Sequence, residues 1–251
     1  RLNDECVEKL YSDNYYSEFY ARSMLPAFEE RKQLIGNSKY NQAVSYWGKN
    51  KKGRVLDIGA GTGVLALIMA QRSSAEIIDA LEIDAEAYEQ CVYNFENSDW
   101  GDRLFCYHAA LKDFTVEIED SYDLIISNPP FFTDNFKSGN EARDKARFEE
   151  ALPFKQLLNS ASKLLTKSGQ LNVVIPFSEE TNFISLAKKA DLNPNRILRV
   201  RGQKESPLKR SLISLTFQEK KVEISELTIE ITRHKYTDKY INLTKDFYLK
   251  L

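Results

Sequence analysis

The sequence predicts an α/β protein, a doubly wound mixed sheet of seven strands behind a helical N-terminal extension. Three observations lead there. Short apolar runs alternate with helix-period segments from Lys52 onward, a glycine-rich turn joins the first run to the first helix, and the last two runs follow one another with no helix between them. Alternating strands and helices require a parallel sheet covered on both faces. Two strands joined without a helix pair antiparallel and make the sheet mixed.

The strands are expected at 54–58, 76–83, 104–108, 122–127, 171–175, 197–200 and 211–217. Helices are expected at 64–72, 85–97, 157–165 and 183–190, the third ended by Gly169. In the first, Leu65, Ile68 and Met69 recur at helical spacing; in the second, Tyr88, Cys91, Val92 and Phe95 do. Residues 1–50 read differently. Val7, Leu10, Tyr11, Tyr15, Phe19 and Tyr20 suggest a helix that Pro26 and Gly36 interrupt, so 1–50 is read as the extension and 51–251 as the main domain. The tail alternates again at 222–231, without a chemical signature.

Composition narrows the partners. With 42% hydrophobic and 29% charged residues the 251-residue chain can bury a core without disulfides. No apolar run is long enough to cross a bilayer. Cys6, Cys91 and Cys106 are odd in number and irregular in spacing, which suits a reducing cytoplasm and argues against a metal site. A net charge of −2 gives no global attraction to nucleic acid and leaves room for a local basic patch.

The chemistry begins at Asp57-Ile58-Gly59-Ala60-Gly61-Thr62-Gly63, between the first strand and the first helix. Glycines there let the backbone turn sharply and approach a ligand, with free N–H groups facing it. The Gly-x-Gly-x-Gly spacing differs from the Gly-x-Gly-x-x-Gly of dinucleotide binders. Glu82 and Ile83 close the second strand, where an acid is placed to accept both hydroxyls of a ribose. Asp57, Gly59, Ala60, Gly61, Thr62, Gly63, Glu82 and Ile83 together resemble the S-adenosylmethionine site of class I methyltransferases. A tight strand–helix turn beside an ordinary acid accounts for the same residues without a ligand.

Asn128-Pro129-Pro130-Phe131 follows the fourth strand. Ligands of open α/β sheets sit beyond the carboxyl ends of strands, so this tetrapeptide shares a crevice with the glycine turn, and Asn128 borders the cofactor as well. An exocyclic amine or amide is a poor nucleophile because its lone pair is delocalised. The Asn128 side-chain oxygen and the Pro129 carbonyl are two acceptors for its N–H groups, aiming and localising that lone pair. Pro129 and Pro130 fix the backbone, and Phe131 offers a face for a planar group. Adenine N6, guanine N2, cytosine N4 and glutamine N5 all satisfy that chemistry, so a nucleic-acid base and a protein side chain remain open as acceptors. A proline turn closing a strand is the alternative without chemistry.

These motifs, with Arg143-Asp144-Lys145-Ala146-Arg147-Phe148 and the ending Leu243-Thr244-Lys245-Asp246-Phe247-Tyr248, make residues 54–251 similar to the bacterial tRNA1(Val) adenine-37 N6-methyltransferase family. The resemblance implies a Rossmann-like fold, S-adenosylmethionine as methyl donor, tRNA as partner, and a flipped adenine stacked near Phe131 with N6 held by Asn128 and Pro129. Ribosomal RNA guanine-N2 and protein glutamine-N5 methylation are the alternatives, and a methyltransferase-like fold that binds without turnover is a third. The family's usual Gly-Thr-Asp turn is not found in residues 1–53. His108-Ala109-Ala110 stands where a carboxylate often meets the cofactor adenine, which leaves that task to backbone groups or Asp113.

Arg143, Lys145 and Arg147, in a long polar connection, are candidate phosphate contacts. So are Arg199 and Arg201, within a cluster of Arg196, Arg199, Arg201, Lys204, Lys209 and Arg210 around the expected sheet edge. A charged edge that blocks pairing between sheets explains that cluster equally. A cytoplasmic monomer or weak homo-oligomer, without membrane or metal, completes the expectation.

Overall fold

A computed structural model describes residues 52–129 and 152–245. The expected 1–50 extension, Pro130, Phe131, Arg143, Lys145 and Arg147 lie outside the described residues. Among the described residues nine strands form one sheet: β1 (Arg54–Ile58), β2 (Ile77–Glu82), β3 (Leu104–His108), β4 (Tyr122–Ser127), β5 (Leu165–Pro176), β6 (Asn193–Gln203), β7 (Leu208–Thr216), β8 (Glu223–Thr232) and β9 (Lys235–Tyr236). Their order across the sheet is β3-β2-β1-β4-β5-β7-β6-β8-β9. The helices are α1 (Val64–Arg72), α2 (Ala85–Glu96), α3 (Leu111–Glu117), α4 (Phe154–Leu164), α5 (Glu180–Lys189) and α6 (Asp238–Thr244).

Strands β3 to β5 run parallel, and β7 enters antiparallel between β5 and β6 as the missing helix predicted. The count of seven strands is too low. β8 pairs parallel with β6 and β9 antiparallel with β8, so the alternating tail extends the sheet. Helix α3 is a further element the sequence does not announce, because only Leu111 and Phe114 are buried in its seven residues, too few to show a period.

Gly169 does not end a helix. Helix α4 stops at Leu164 and Gly169 lies inside β5, where the pairing with β4 shifts register between Tyr122 and Leu124. A side chain there would have its Cβ 2.8 Å from the Tyr122 carbonyl oxygen. The glycine is needed for close approach of two backbones.

Central strand β1 is buried from Val55 to Ile58, as a parallel strand covered on both faces must be. On one face Leu56, Ile58, Ile125, Leu157, Leu171, Phe183 and their neighbours form a core with α3, α4 and α5. On the other, Val55, Ala66, Met69, Ile78, Cys91, Phe95 and Leu124 form a core with α1 and α2. Side chains close two helix ends, one on each side of the sheet's length. The Asp84 carboxylate accepts from Ala87 N at 2.8 Å to open α2, and the Arg103 guanidinium donates to the Ala70 carbonyl to close α1.

Beneath the sheet, away from the glycine turn, Asp79 is fully buried. Its Oδ2 accepts from the Tyr122 hydroxyl at 2.8 Å and from Arg54 Nη2 at 3.1 Å, and Arg54 reaches Asp120 at 2.7 Å. Burial and the Asp79 charge push the Tyr122 hydroxyl far above its ordinary range, so it stays a donor. Removing that donor leaves a buried carboxylate short of a partner, at about 1–3 kcal/mol. Tyr122→Phe is expected to lower the thermal midpoint by several degrees; an unchanged midpoint in a calorimetric scan would show that the hydroxyl adds nothing.

Candidate functional site

Strand order reverses between β1 and β4, which opens a crevice at their carboxyl ends. Ile58 pairs with Ser127, so Gly59 and Asn128 leave the sheet side by side. The buried Ser127 hydroxyl donates to the Ile58 carbonyl at 2.8 Å and ties the two exits together. Asn128 is exposed and Pro129 buried. The structure thus brings Asn128 and Pro129 to the glycine turn. Ser127 carries no sequence signal, because a serine at a strand end does not reveal which carbonyl it meets.

Gly59, Gly61 and Gly63 adopt φ of 69°, 55° and 82°, left-handed values that other residues rarely take. At Gly59 and Gly61 the space where a Cβ would stand is open. At Gly63 a Cβ would lie 2.6 Å from Phe95 Cε1 and 2.7 Å from Cys91 Sγ, so the third glycine serves packing on α2. Gly59 and Ala60 donate to the Leu81 carbonyl at 2.9 and 3.1 Å, and Gly63 N donates to the Ala60 carbonyl at 2.9 Å. Asn94 Nδ2, unforeseen from sequence, donates to the Thr62 carbonyl at 2.9 Å.

Two carboxylates lie under this turn. Glu82 Oε2 accepts from Gly61 N at 2.6 Å, and its Oε1 accepts from Ile83 N and Asp84 N at 2.8 and 2.9 Å. A carboxylate offers about four acceptor positions. Three are taken, so one remains on Oε2, where the sequence predicts two available to a ribose. Asp57 is fully buried beneath the turn. Its Oδ2 accepts from Ala66 N at 3.1 Å, in the first turn of α1, whose own cap residue Gly63 has no side chain to offer. Among the described residues Oδ1 has no hydrogen-bond partner. Burial, opposed by the Ala66 N–H and reinforced by the Glu82 charge, pushes Asp57 up to about 7.

Past Glu82, the Ile83 side chain is exposed and its carbonyl accepts from His108 Nε2 at 3.0 Å, so that nitrogen carries a proton. His108 stacks on Tyr88 with ring centroids 5.0 Å apart. Asp113 is exposed on α3. The residues present fit S-adenosylmethionine: two open left-handed glycines, a free acceptor position on Glu82 and an exposed aliphatic face at Ile83. Among the described residues no group of three His, Cys, Asp or Glu side chains could hold a metal ion.

The basic cluster lies differently from expectation. β6 is interior, between β7 and β8, so its arginines do not guard an edge. Arg199 Nη2 donates to Glu180 Oε1 at 2.7 Å, Ser211 Oγ donates to Glu180 Oε2 at 2.5 Å, and the guanidinium lies 5.6 Å from the Phe177 ring. The Glu180 carboxylate raises the Arg199 pKa further. Arg201 pairs with Glu226 at 2.5 Å, and Arg196 with Glu223 at 3.3 Å. Lys204 and Lys209 are exposed at the β6–β7 turn, on the same end of the sheet as Asn128.

The sequence from 43 to 189 matches the methyltransferase small-domain family. A Christiangramia forsetii protein described as tRNA1(Val) (adenine(37)-N6)-methyltransferase is 58% identical over 199 residues, covering 78% of this chain and 83% of that one. A Flavobacterium johnsoniae protein of the same description is 56% identical over 198 residues, covering 78% and 84%. In fold the chain is similar to a predicted O-methyltransferase of Agrobacterium tumefaciens, with a TM-score of 0.59 at 17% identity over 79% of this chain and 91% of that one.

The buried Asp57 carboxyl sets a pH dependence. Its folded pKa, about 7, is above its ordinary 3.8, so its protonated form favours the folded state. That stability is complete below about pH 4 and is lost as pH rises through about 7. Asn at this position does not titrate. The thermal midpoint of Asp57→Asn minus that of the natural chain is therefore expected to grow between pH 4 and 7 and level off above; a flat difference would mean Asp57 is ionised throughout.

Proposed function

The chain belongs to the tRNA1(Val) (adenine(37)-N6)-methyltransferase family and is an S-adenosylmethionine-dependent enzyme, and on that premise we propose that Asn128 and Pro129 hold the N6 amino group of a tRNA adenine beside the glycine turn. One observation carries this reading: the Ile58–Ser127 pairing, locked by the Ser127 hydroxyl, sends Gly59 and Asn128 out of the sheet as neighbours.

Asn128 and Pro129 divide the task. The exposed Asn128 Oδ1 accepts one N–H of the amino group. The Pro129 carbonyl, on a buried and rigid residue, accepts the other. Two fixed acceptors draw the nitrogen out of conjugation and aim its lone pair, and the proton leaves after transfer. S-adenosylmethionine, when bound, supplies an electrophilic methyl on a sulfonium. Glu82 takes a ribose hydroxyl on the free position of Oε2, Gly59 and Gly61 admit the cofactor backbone to backbone, and Ile83 covers its base. Phe131 is assigned to base stacking, and Arg143 and Arg147 to phosphate. Because Arg199 is committed to Glu180, phosphate contact on the rim falls to Lys204 and Lys209.

Transfer of labelled methyl to total tRNA, ribosomal RNA and ribosomal protein tests the acceptor. N6-methyladenosine in tRNA is expected; label in protein, or as N2-methylguanosine, would replace this reading by one of its alternatives. Asn128→Ala is expected to lower kcat about 100-fold, the scale of a misplaced reactant, while cofactor affinity measured by calorimetry is little changed. Equal loss of both would remove Asn128 from this role. Reversing both charges, Lys204→Glu with Lys209→Glu, is expected to lower the salt slope of tRNA binding by about one for each phosphate no longer neutralised. An unaltered slope would place the RNA elsewhere.

A further inference from the structure

We propose that Phe177 is a stacking platform for the nucleobase next to the acceptor adenine, and that Glu180 is a positioning residue that holds the ring through Arg199. This role rests on a tRNA adenine being the acceptor at Asn128. β5 lies beside β4 and runs parallel to it, with Val173 opposite Ser127. Where β4 has ended, β5 continues along the crevice through Ile175 and Pro176 to a 3-10 turn, Phe177–Glu179. With strands about 4.8 Å apart and a rise of about 3.3 Å per residue, that register puts the Phe177 backbone roughly 8 Å from Pro129. Pro176 fixes the direction in which the chain leaves the sheet. Phe177 is half-buried and the next residue, Ser178, is exposed, so the ring stands on the rim.

The ring is held from one side. The Arg199 guanidinium lies 5.6 Å from its centroid. Arg199 in β6 is opposite Ser211 in β7, which is opposite Ile175 in β5. Glu180, the buried first residue of α5, ties these strands together. Its Oε1 accepts from Arg199 Nε at 3.1 Å and from Nη2 at 2.7 Å, and its Oε2 accepts from the fully buried Ser211 hydroxyl at 2.5 Å. Such a pair adds little net stability over apolar packing, because both charges lose their water. What it fixes is the plane of the guanidinium, and with it the ring.

The site suits an unpaired base. Drawing an adenine out of its stack toward Asn128 and Pro129 leaves the neighbouring base without a partner on one face. Proteins meet such faces with aromatic rings. Arg210, opposite Pro176, and Lys204 and Lys209 on the β6–β7 turn are exposed beside the ring, where a phosphate backbone would pass. Stacking does not read base identity, so Phe177 distinguishes an adenine within an RNA strand from a free one, whatever its neighbour.

The test measures methyl transfer by the full chain, at saturating S-adenosylmethionine, to a tRNA1(Val) transcript that is intact or carries an abasic site on one or the other side of adenine 37. Phe177→Leu keeps apolar packing and removes the stacking face. It is expected to raise KM for the intact transcript about tenfold. Its kcat and its calorimetric affinity for S-adenosylhomocysteine are expected to change little, and Phe177→Trp to restore KM. One of the abasic transcripts is expected to cost the natural chain a similar factor and to cost Phe177→Leu nothing more. Glu180→Gln is expected to raise KM several-fold alone and to add nothing to Phe177→Leu. An unchanged KM in Phe177→Leu, or equal abasic losses in both chains, overturns the platform. An unchanged KM in Glu180→Gln, or losses that add, overturns the positioning role. No methylation of the intact transcript by the natural chain would instead overturn the acceptor assignment, so the two failures are distinct.

Discussion

A single carboxylate, Glu82, determines the shape of the cofactor end of the molecule. It is the last residue of β2, and it accepts backbone N–H groups from both its own chain exit and the glycine turn of the neighbouring strand. Charge-assisted bonds of this kind are about twice as strong as neutral ones. They join two turns that are also tied by the Gly59 and Ala60 N–H groups donating to the Leu81 carbonyl. Among the three left-handed glycines it is Gly61 whose N–H this junction holds. The same carboxylate is the group expected to meet a ribose, so scaffold and ligand contact compete for its acceptor positions.

Asp57 shows the cost of such a design. A buried carboxyl with one unpartnered oxygen among the described residues is unfavourable when ionised. It persists because α1 starts at a glycine and needs an acceptor that the glycine cannot provide. The helix takes that acceptor from the strand on the far side of the turn. The requirement for an open, glycine-rich turn thus creates the need for a buried acid below it.

Much of this is legible in the sequence where local pattern and function coincide. The strand, turn and helix around Gly59 to Gly63 are written in a short stretch, and so is the exit at Asn128. What is not legible depends on distant partners. Nothing local distinguishes an Asp57 that contacts a ligand from one that caps a helix, or tells that Arg199 is tied to Glu180. The tail at 222–231 alternates clearly, yet its pairing with β6 requires knowing that β6 has a free side. Helix α3 is too short, and Gly169 signals a break that lies within a strand, since glycine marks a close approach as readily as an end.

The seam between β6 and β8 has a consequence for how the molecule keeps to itself. Arg196 faces Glu223, Arg201 reaches Glu226 and Gln203 bonds to Glu230, so three polar side chains of one strand find acids on the other along a parallel register. Slipping that register by one residue would turn every acid to the opposite face. A stray strand from another molecule, arriving first at β6, would have to carry carboxylates at the same intervals or bury cations without counter-charge. β8 occupies the place with a charge pattern that works as an identity check, and among the described residues the sheet then ends at β9, two residues long, which offers an intruder almost no template to extend.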